Sequence, residues 1–171
     1  DQPFMSVVSL THPHDPYYCT QRFWDLYEGV NIPMPTVQAL PIDEQDPLTR
    51  YIMIRHELDD GFDKDHLMRS RRAYFGAVSY IDHQVGRLLS LLEELSLREN
   101  TVIIFTSDHG EFLGERGLWF KRHFYESVAA VPLIISVPGG PKGKVVPENV
   151  SLMDLLPTML DLAGDLELAD L

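Results

Sequence analysis

The sequence has few cysteines, few basic residues and no long apolar run, and each shortage narrows what the chain can be. Its single cysteine, Cys19, excludes an internal disulfide and is typical of a reducing compartment, so we expect a cytoplasmic protein, with the periplasm as the alternative. Only 14 Lys and Arg stand against 26 Asp and Glu, and the net charge of −12 argues against nucleic acid or an anionic membrane as a partner. No stretch is long and apolar enough to span a bilayer, and no signal peptide opens the chain. Because the sequence begins with Asp1 rather than Met, we expect a longer precursor or a processed fragment.

Apolar runs and helical periodicity predict an α/β protein. The 171 residues, of which 44% are hydrophobic, are about one domain's worth of chain. Apolar runs predict strands at residues 3–11, 102–106 and 131–137. Helices are predicted at residues 21–27, from a cap at Asp65 to Leu95, and from Asp154 through Pro157 to Gly164. This order predicts a sheet with helices on its faces.

The long helix and the segment before it have opposite patterns. In the helix, apolar residues recur at steps of three and four, which predicts one buried stripe. The stripe consists of Tyr74, Val78, Ile81, Val85, Leu88, Leu92 and Leu95. Residues 30–60 are rich in proline and acidic residues and have no clean period, so we expect a long surface excursion there.

The most informative stretch joins the second predicted strand to two polar residues. Asp108 and His109 follow the strand directly, and Gly110 breaks it. Ligands bind at the carboxyl ends of strands in α/β sheets, where a carboxylate and an imidazole can hold a metal or exchange a proton. The alternative is an Asx turn that closes the strand, with His109 packed against its neighbours. A basic cluster that begins at Lys121 follows, and it suggests a site for a tetrahedral oxyanion.

The run at residues 106–132, TSDHGEFLGERGLWFKRHFYESVAAVP, resembles the sulfatase family of the alkaline phosphatase superfamily. The closer resemblance is to choline-sulfatases, which share the pattern DHG-x-x-LGERGLW-x-K. Further matches lie at residues 9–17, 43–47 and 71–76, so the resemblance covers roughly residues 3–164. It implies a partial alkaline-phosphatase-like sandwich, with a mixed, mostly parallel sheet. We expect residues 1–171 to be a partial catalytic domain that lacks its amino-terminal half.

The resemblance also implies roles for four side chains. Asp108 and His109 would hold a divalent metal, for which calcium is the expectation and magnesium or manganese the alternatives. Lys121 would contact the sulfate and neutralise charge on the leaving oxygen, and His14 would contact the sulfate and protonate the leaving group. His12 is expected to point to the opposite face if the chain is extended. Loop packing for the histidines and a solvated surface position for Lys121 are the alternatives.

Two departures from the family pattern bear on catalysis and packing. The family's nucleophile is a formylglycine made from the Cys of a C-x-P-S-R motif, and Cys19 is followed by neither Pro nor Ser at that spacing. We therefore expect the nucleophile on a missing segment and an inactive isolated chain. Ala130 replaces an Arg that relatives carry before Val-Pro, so an ion pair with Glu126 is in doubt. Trp119 and Phe120 are either an aromatic wall for a quaternary ammonium or core residues.

Three functions remain open at this point. The first is a fragment of a sulfate-ester hydrolase that acts on a small-molecule sulfate ester, with choline sulfate as the candidate. The second is a non-catalytic remnant or interaction fragment of the same fold. The third is a phosphate or phosphonate ester hydrolase of the same superfamily. Because its apolar strands have few helices to cover them, we expect the chain to associate with its missing half or with itself.

Overall fold

Five α-helices and two strands form the regular structure of the computed structural model, which describes residues 3–164. The helices are α1 (Gln21–Asp25), α2 (Pro47–Arg55), α3 (Lys64–Glu94), α4 (Glu126–Ala129) and α5 (Leu155–Ala163). The strands are β1 (Ile103–Thr106) and β2 (Leu133–Ser136). Single turns of 3-10 helix lie at Ile42–Glu44, Arg98–Asn100, Glu115–Gly117 and Leu152–Asp154. The predicted α/β class is confirmed.

The two strands lie within two residues of their predicted positions, but they pair antiparallel. The register places Ile103 opposite Ser136 and Thr106 opposite Leu133. A parallel pair needs a crossover that returns the chain to the same end, usually through a helix of several turns. The connection here contains only two single turns, the 3-10 turn Glu115–Gly117 and α4, and the chain reverses direction. A mostly parallel sheet was expected, and the sheet within residues 3–164 is this antiparallel pair.

The strand predicted at residues 3–11 is wrong, because these residues form no strand. Their large apolar side chains, including Phe4, Met5 and Val7, are exposed. A strand is held by hydrogen bonds to a neighbouring strand, and the described residues offer this segment no partner. The apolar composition of residues 3–11 favours a strand, but composition alone does not supply the neighbouring strand that pairing requires.

Helix α3 begins two residues earlier than predicted. The Asp63 carboxylate accepts hydrogen bonds from the backbone N–H groups of Asp65 (2.8 Å) and His66 (3.2 Å), so Asp63 is the cap and Asp65 lies in the first turn. The predicted buried stripe is also wrong, since Val78, Leu88 and Leu95 are exposed. The buried face consists of Arg71, Ala73, Gly76 and Ala77. Small residues are buried there because α1 packs closely on that face, with Cys19 next to Gly76.

The segment predicted as an irregular excursion contains helix α2. Its start is encoded by Asp46-Pro47: the carboxylate of Asp46 accepts from the N–H groups of Leu48 (3.0 Å) and Thr49 (3.1 Å), and Pro47 occupies the first turn. The last helix agrees with its prediction, because α5 begins at Leu155 next to Asp154 and is capped by Gly164 with φ of 84°. No helix within residues 3–164 is long and apolar enough to cross a membrane.

The hydrophobic core lies under the loop that follows β1, not under the sheet. It joins side chains of α2 to side chains of residues 112–119 and of α4. Its buried members are Ile52, Met53, Leu58, Phe112, Leu113, Leu118, Trp119 and Val128. This placement gives the residues that flank the loop a rigid base.

Candidate functional site

A closed loop at residues 112–120 brings together two parts of the sequence that were predicted to act at one site. The backbone N–H of Phe112 donates to the carbonyl of Phe120 (3.0 Å), and the N–H of Gly114 donates to the carbonyl of Leu118 (2.9 Å). These bonds tie the two ends of the loop to each other. Asp108 and His109 therefore precede one end while Lys121 follows the other, and we call residues 112–120 the closed loop.

The closed loop is held from outside by Glu115. Its carboxylate accepts hydrogen bonds from the N–H groups of Thr36 and Val37, each at 3.0 Å, and from the Thr36 hydroxyl at 3.2 Å. Burial alone raises the pKa of Glu115, but these hydrogen bonds outweigh it and hold the pKa below its usual value. Arg71 of α3 adds a hydrogen bond of 2.6 Å to the carbonyl of Leu113. The loop is thereby fixed to both the residues 36–37 segment and α3.

Two glycines permit this close packing. Gly114 (φ 91°) and Gly117 (φ 71°) adopt left-handed conformations that cost little without a Cβ atom. A Cβ on Gly117 would lie 2.7 Å from Cβ of Ala39, and one on Gly114 would lie 2.6 Å from the side chain of Leu67. The Gly-Glu-Arg-Gly segment is therefore a tight structural turn.

Asp108 and His109 lie directly after β1, as predicted, and present two donor atoms to the same space. The Nδ1 atom of His109 lies 2.7 Å from the carbonyl of Gly110, so it carries the proton and leaves the Nε2 lone pair free. Oδ1 of Asp108 accepts from the His109 N–H at 3.0 Å, while Oδ2 lies 3.7 Å from His109 Nε2. The Asp108 side chain is 87% exposed. Burial raises the pKa of Asp108, but the electrostatic interaction with the His109 ring and the hydrogen bonds to the carboxylate outweigh burial and hold the pKa below its usual value.

The two donors fit a divalent cation in part. A carboxylate oxygen and an imidazole nitrogen that share one six-coordinate ion lie on the order of 3 Å apart, close to the separation seen here. In the part of the chain that the structure describes, no group of three His, Cys, Asp or Glu side chains is placed to hold a metal. The remaining ligands would have to come from backbone groups, water or residues outside 3–164.

Gly110 lets the Asp-His pair approach α4. Its N–H donates to the carbonyl of Val128 (2.7 Å), and the next N–H, from Glu111, donates to the carbonyl of Ser127 (2.9 Å). A Cβ on Gly110 would overlap the Ser127 carbonyl oxygen. A side chain at this position would push the pair away from the rest of the site.

His14 and Lys121 meet directly, although 107 residues separate them in the sequence. The Nδ1 atom of His14 lies 2.7 Å from the carbonyl of Asp15, so Nδ1 donates and Nε2 accepts the hydrogen bond from Lys121 Nζ. The ring of His14 also stands edge-on to the ring of His109, with centroids 6.4 Å apart. His14 thus contacts the cation on one side and borders the candidate metal pair on the other. His12 lies elsewhere, with its ring against Tyr80 of α3.

Tyr17, for which the sequence predicted no role, connects the two loops that carry His14 and Lys121. The ring of Tyr17, three residues after His14, stacks on Phe120, one residue before Lys121, with centroids 6.3 Å apart. The carboxylate of Glu111 is largely buried, which raises its pKa. Burial and the nearby Glu111 charge raise the pKa of Tyr17 far above its usual value. The buried Tyr17 hydroxyl has no hydrogen-bond partner among the described residues. The sequence signal that could have indicated a buried Glu111 is its position between Asp-His-Gly and the apolar residues Phe112 and Leu113.

Trp119 and Cys19 are structural. Trp119 is a buried core residue in edge contact with Phe62 at 5.1 Å, so its face is not open to a quaternary ammonium ligand. Phe120 is partly buried against the same core. The Cys19 thiol packs against Gly76, and burial raises its pKa, which opposes formation of a thiolate nucleophile. Glu126 is exposed and forms no ion pair within the described residues, as the loss of the relatives' Arg suggested.

Comparison with known proteins places this arrangement in a larger context. The sequence model of the family described as Sulfatase matches residues 1–165. A choline-sulfatase of Rhizobium meliloti is 47% identical over 165 residues, which are 95% of this chain and 32% of that protein. An arylsulfatase of Clostridium perfringens is 35% identical over 169 residues, which are 95% of this chain and 34% of that protein. The chain spans about a third of the length of these curated relatives.

A solved structure agrees with the sequence comparison. A phosphonate monoester hydrolase from Silicibacter pomeroyi superposes with a TM-score of 0.76 at 30% identity, over 89% of this chain and 32% of that one. The partial alkaline-phosphatase-like fold that the resemblance implied is thereby confirmed. As in the curated relatives, the likeness covers only one part of the larger protein.

Proposed function

Because this chain belongs to the sulfatase family, we propose that its His14, Lys121, Asp108 and His109 form one part of the active site of a sulfuric ester hydrolase. The single observation that supports this most is the contact of Lys121 Nζ with His14 Nε2, beside the Asp-His pair. Side chains from two separate motifs, at residues 9–17 and 106–132, meet in one place there. Such a group can bind a tetrahedral oxyanion.

Lys121 and His14 have separate tasks in this proposal. The ammonium of Lys121 binds a sulfate oxygen and balances the negative charge that grows on the leaving oxygen as the sulfur–oxygen bond breaks. Once protonated on Nε2, His14 donates a hydrogen bond to the same group and then gives that proton to the departing alcohol oxygen. The hydrogen bond from Nδ1 to the Asp15 carbonyl fixes the ring so that Nε2 faces Lys121. The substrate oxygen replaces the direct contact of Lys121 with His14.

The remaining chemistry needs groups that lie outside these four side chains. Asp108 Oδ2 and His109 Nε2 would hold a divalent cation, calcium or alternatively magnesium or manganese, which would polarise the sulfate and activate the nucleophile. The proposed nucleophile is a formylglycine on another segment, because Cys19 lacks the C-x-P-S-R motif and packs against Gly76 of α3. The isolated chain is then inactive, and it associates with the rest of the active site or with itself through its exposed apolar side chains.

Choline sulfate is the proposed substrate, since the 47% identical relative is a choline-sulfatase. A phosphonate or phosphate ester is the second candidate, because the phosphonate monoester hydrolase above shares the fold over most of this chain. Both substrates present a tetrahedral oxyanion to Lys121 and His14. The four side chains alone do not discriminate between sulfur and phosphorus.

The test measures hydrolysis by the full-length protein that carries this chain. Choline sulfate, a chromogenic aryl sulfate and a phenylphosphonate monoester are the substrates, with calcium added. We expect Lys121→Met to lower kcat by roughly 100-fold or more on the preferred sulfate ester, as removal of one charge-stabilising group does in other enzymes. Lys142→Met, in an exposed turn after β2, is the matched control and leaves kcat unchanged.

Three results would count against the proposal. Native kcat in Lys121→Met would remove Lys121 from the reaction. Turnover of the phosphonate ester alone would favour the second candidate. Turnover by residues 1–171 alone, lost in Asp108→Ala, would mean that the nucleophile lies within this chain.

A further inference from the structure

His123 lies two residues after Lys121, the proposed function gives it no task, and both of its ring nitrogens have hydrogen-bond partners. The N–H of Phe124 donates to Nδ1 at 2.9 Å, so Nδ1 is the acceptor. The proton must then lie on Nε2, which is 3.2 Å from Oγ1 of Thr49. The hydrogen-bond partners therefore assign a neutral ring with a single tautomer.

The chain of hydrogen bonds continues to a carboxylate. The Thr49 hydroxyl receives a hydrogen bond from His123 Nε2–H and donates its own proton to Oδ2 of Asp46. The other oxygen of Asp46 accepts the N–H groups that begin α2. Every proton in the series points toward Asp46, so the order His123 to Thr49 to Asp46 has one direction.

The middle of this series is buried, and its outer end is a stack of rings. Thr49 is only 1% exposed. The ring of His123 lies parallel to that of Tyr125, with centroids 4.1 Å apart and an interplanar angle of 5°. The guanidinium of Arg116, in the closed loop, lies 4.3 Å from the centre of the Tyr125 ring. His123 therefore contacts α2 through Thr49, and it contacts the closed loop through Tyr125, whose ring packs against Arg116.

The backbone next to Lys121 needs such an anchor. Phe120 (φ 67°) and Arg122 (φ 79°) flank Lys121, and both are in the left-handed region. Non-glycine residues pay roughly 1 kcal/mol or more for that conformation, which persists only where surrounding contacts fix it. Phe124 is 90% exposed and contributes no packing. Arg122 contacts His56, with Nη1 3.2 Å from Nε2, and the contacts of His123 add a second, partly buried restraint on the residues after Lys121.

We propose that the hydrogen-bonded series of His123, Thr49 and Asp46 positions Lys121 against His14. We call these three residues the anchor. Thr49 and His123 are then positioning residues: they act through the backbone of residues 121–123 and do not touch the ester. The effect on rate rests on the proposed function, whereas the effect on the geometry of Lys121 does not.

The anchor can be tested by removing one hydroxyl. Thr49→Val keeps the buried volume but leaves His123 Nε2–H without an acceptor, and Thr49→Ser is the matched variant that restores it. The full-length protein is labelled with ¹⁵N-histidine, and the ring nitrogens of His123 and His14 are observed by NMR. Kinetics on an aryl sulfate are measured in parallel. His123→Phe keeps the ring stack on Tyr125 and serves as the second variant if Thr49→Val does not fold.

We expect native His123 to be the Nε2–H tautomer. Thr49→Val should shift the His14 Nε2 signal, which reports the hydrogen bond from Lys121, and lower kcat about 10-fold with a smaller change in KM, because small misplacements of a catalytic group are costly. Thr49→Ser should restore both. The amide signals around Tyr27 and Ser79, which share a separate hydrogen bond of 2.7 Å, should stay unchanged.

Two outcomes overturn the anchor. One is an Nδ1–H tautomer of native His123. The other is a native His14 signal and native kcat in both Thr49→Val and His123→Phe. If the native protein hydrolyses no ester, yet the His14 signal shifts as expected, the proposed function fails while the anchor stands.

Discussion

The region around the closed loop and the region around the sheet differ in how far their apolar side chains are buried and in how many other segments they contact. Around residues 112–125, apolar side chains are buried, and the loop ends are hydrogen-bonded to each other and to the residues 36–37 segment, α2 and α3. Around the sheet, β1 and β2 pair only with each other within residues 3–164, and the apolar side chains of residues 3–10 and of β2 are largely exposed. Within residues 3–164, most of the apolar side chains of the first region are covered, whereas many of those in the second region are exposed.

The difference indicates which properties this part of the protein supplies alone. The placement of Lys121, His14, Asp108 and His109 depends on contacts that are present within the chain. A sheet of two strands with exposed apolar faces is marginal by itself, so its stability depends on further burial. Substitutions in the two regions should therefore have unequal effects.

The largest effect is expected from the core beneath the closed loop. Leu118 is 0% exposed, so Leu118→Ala leaves a cavity and should lower the free energy of unfolding by about 2–5 kcal/mol. Ile134→Ala on β2, where the side chain is 61% exposed, should cost less than about 1 kcal/mol. Urea denaturation measures both. Equal losses would mean that the sheet is as well packed as the loop.

A smaller effect is expected where Gly110 contacts α4. Gly110→Ala should destabilise by roughly 1–3 kcal/mol, because the new methyl group overlaps the Ser127 carbonyl and displaces the Asp-His pair. Gly86→Ala is the matched control, because it lies within α3 with nothing within 4 Å and should stabilise by about 0.5–1 kcal/mol. The same denaturation experiment applies. A neutral result at Gly110 would contradict the close approach of these two segments.

The Glu115 contact should give a moderate and pH-dependent effect. Glu115→Gln weakens three charge-assisted hydrogen bonds and should lower stability at neutral pH by roughly 1 kcal/mol. The pKa of Glu115 is lowered on folding, so its contribution is present above the pKa of the unfolded state and disappears as the pH falls through the folded pKa. The native and variant stabilities should converge below the usual range of a glutamate pKa. A constant difference across that range would mean that the charge is not involved.

The smallest effect on stability is expected at the exposed apolar segment. Replacing Phe4 and Val7 with Ser should change the free energy of unfolding by less than about 0.5 kcal/mol, since both side chains are exposed. The same change should reduce hydrophobic-dye binding and self-association of the chain in sedimentation experiments. Unchanged self-association in the variant would mean that the associating surface lies outside residues 3–11.

The sequence was sufficient for features that depend on local chemistry. The strands at Ile103–Thr106 and Leu133–Ser136, and the capping of the last helix by Gly164, follow from apolar runs and a terminal glycine. The sequence resemblance also identified His14 and Lys121, which are in contact. The burial of Trp119 decided between the two interpretations offered for it.

Features that depend on distant partners were not accessible from the sequence. The run at residues 3–11 has strand composition, but no neighbouring strand pairs with it among the described residues. The stripe on α3 has helical period, yet only the face with Gly76 and Ala77 meets α1. Tyr17 lies near Glu111, and Thr49 contacts His123. Each pair is more than 70 positions apart in the sequence, so no local pattern predicts either one.

The most direct test of the central claim is a crystal structure of the full-length protein with a divalent cation and sulfate or vanadate bound. We expect one tetrahedral anion that accepts hydrogen bonds from both Lys121 Nζ and His14 Nε2, at about 2.7–3.2 Å. We also expect one cation that contacts Asp108 and His109 beside that anion. An anion bound away from Lys121, or a cation that leaves Asp108 and His109 unbound, would contradict the claim that these four side chains form a single site.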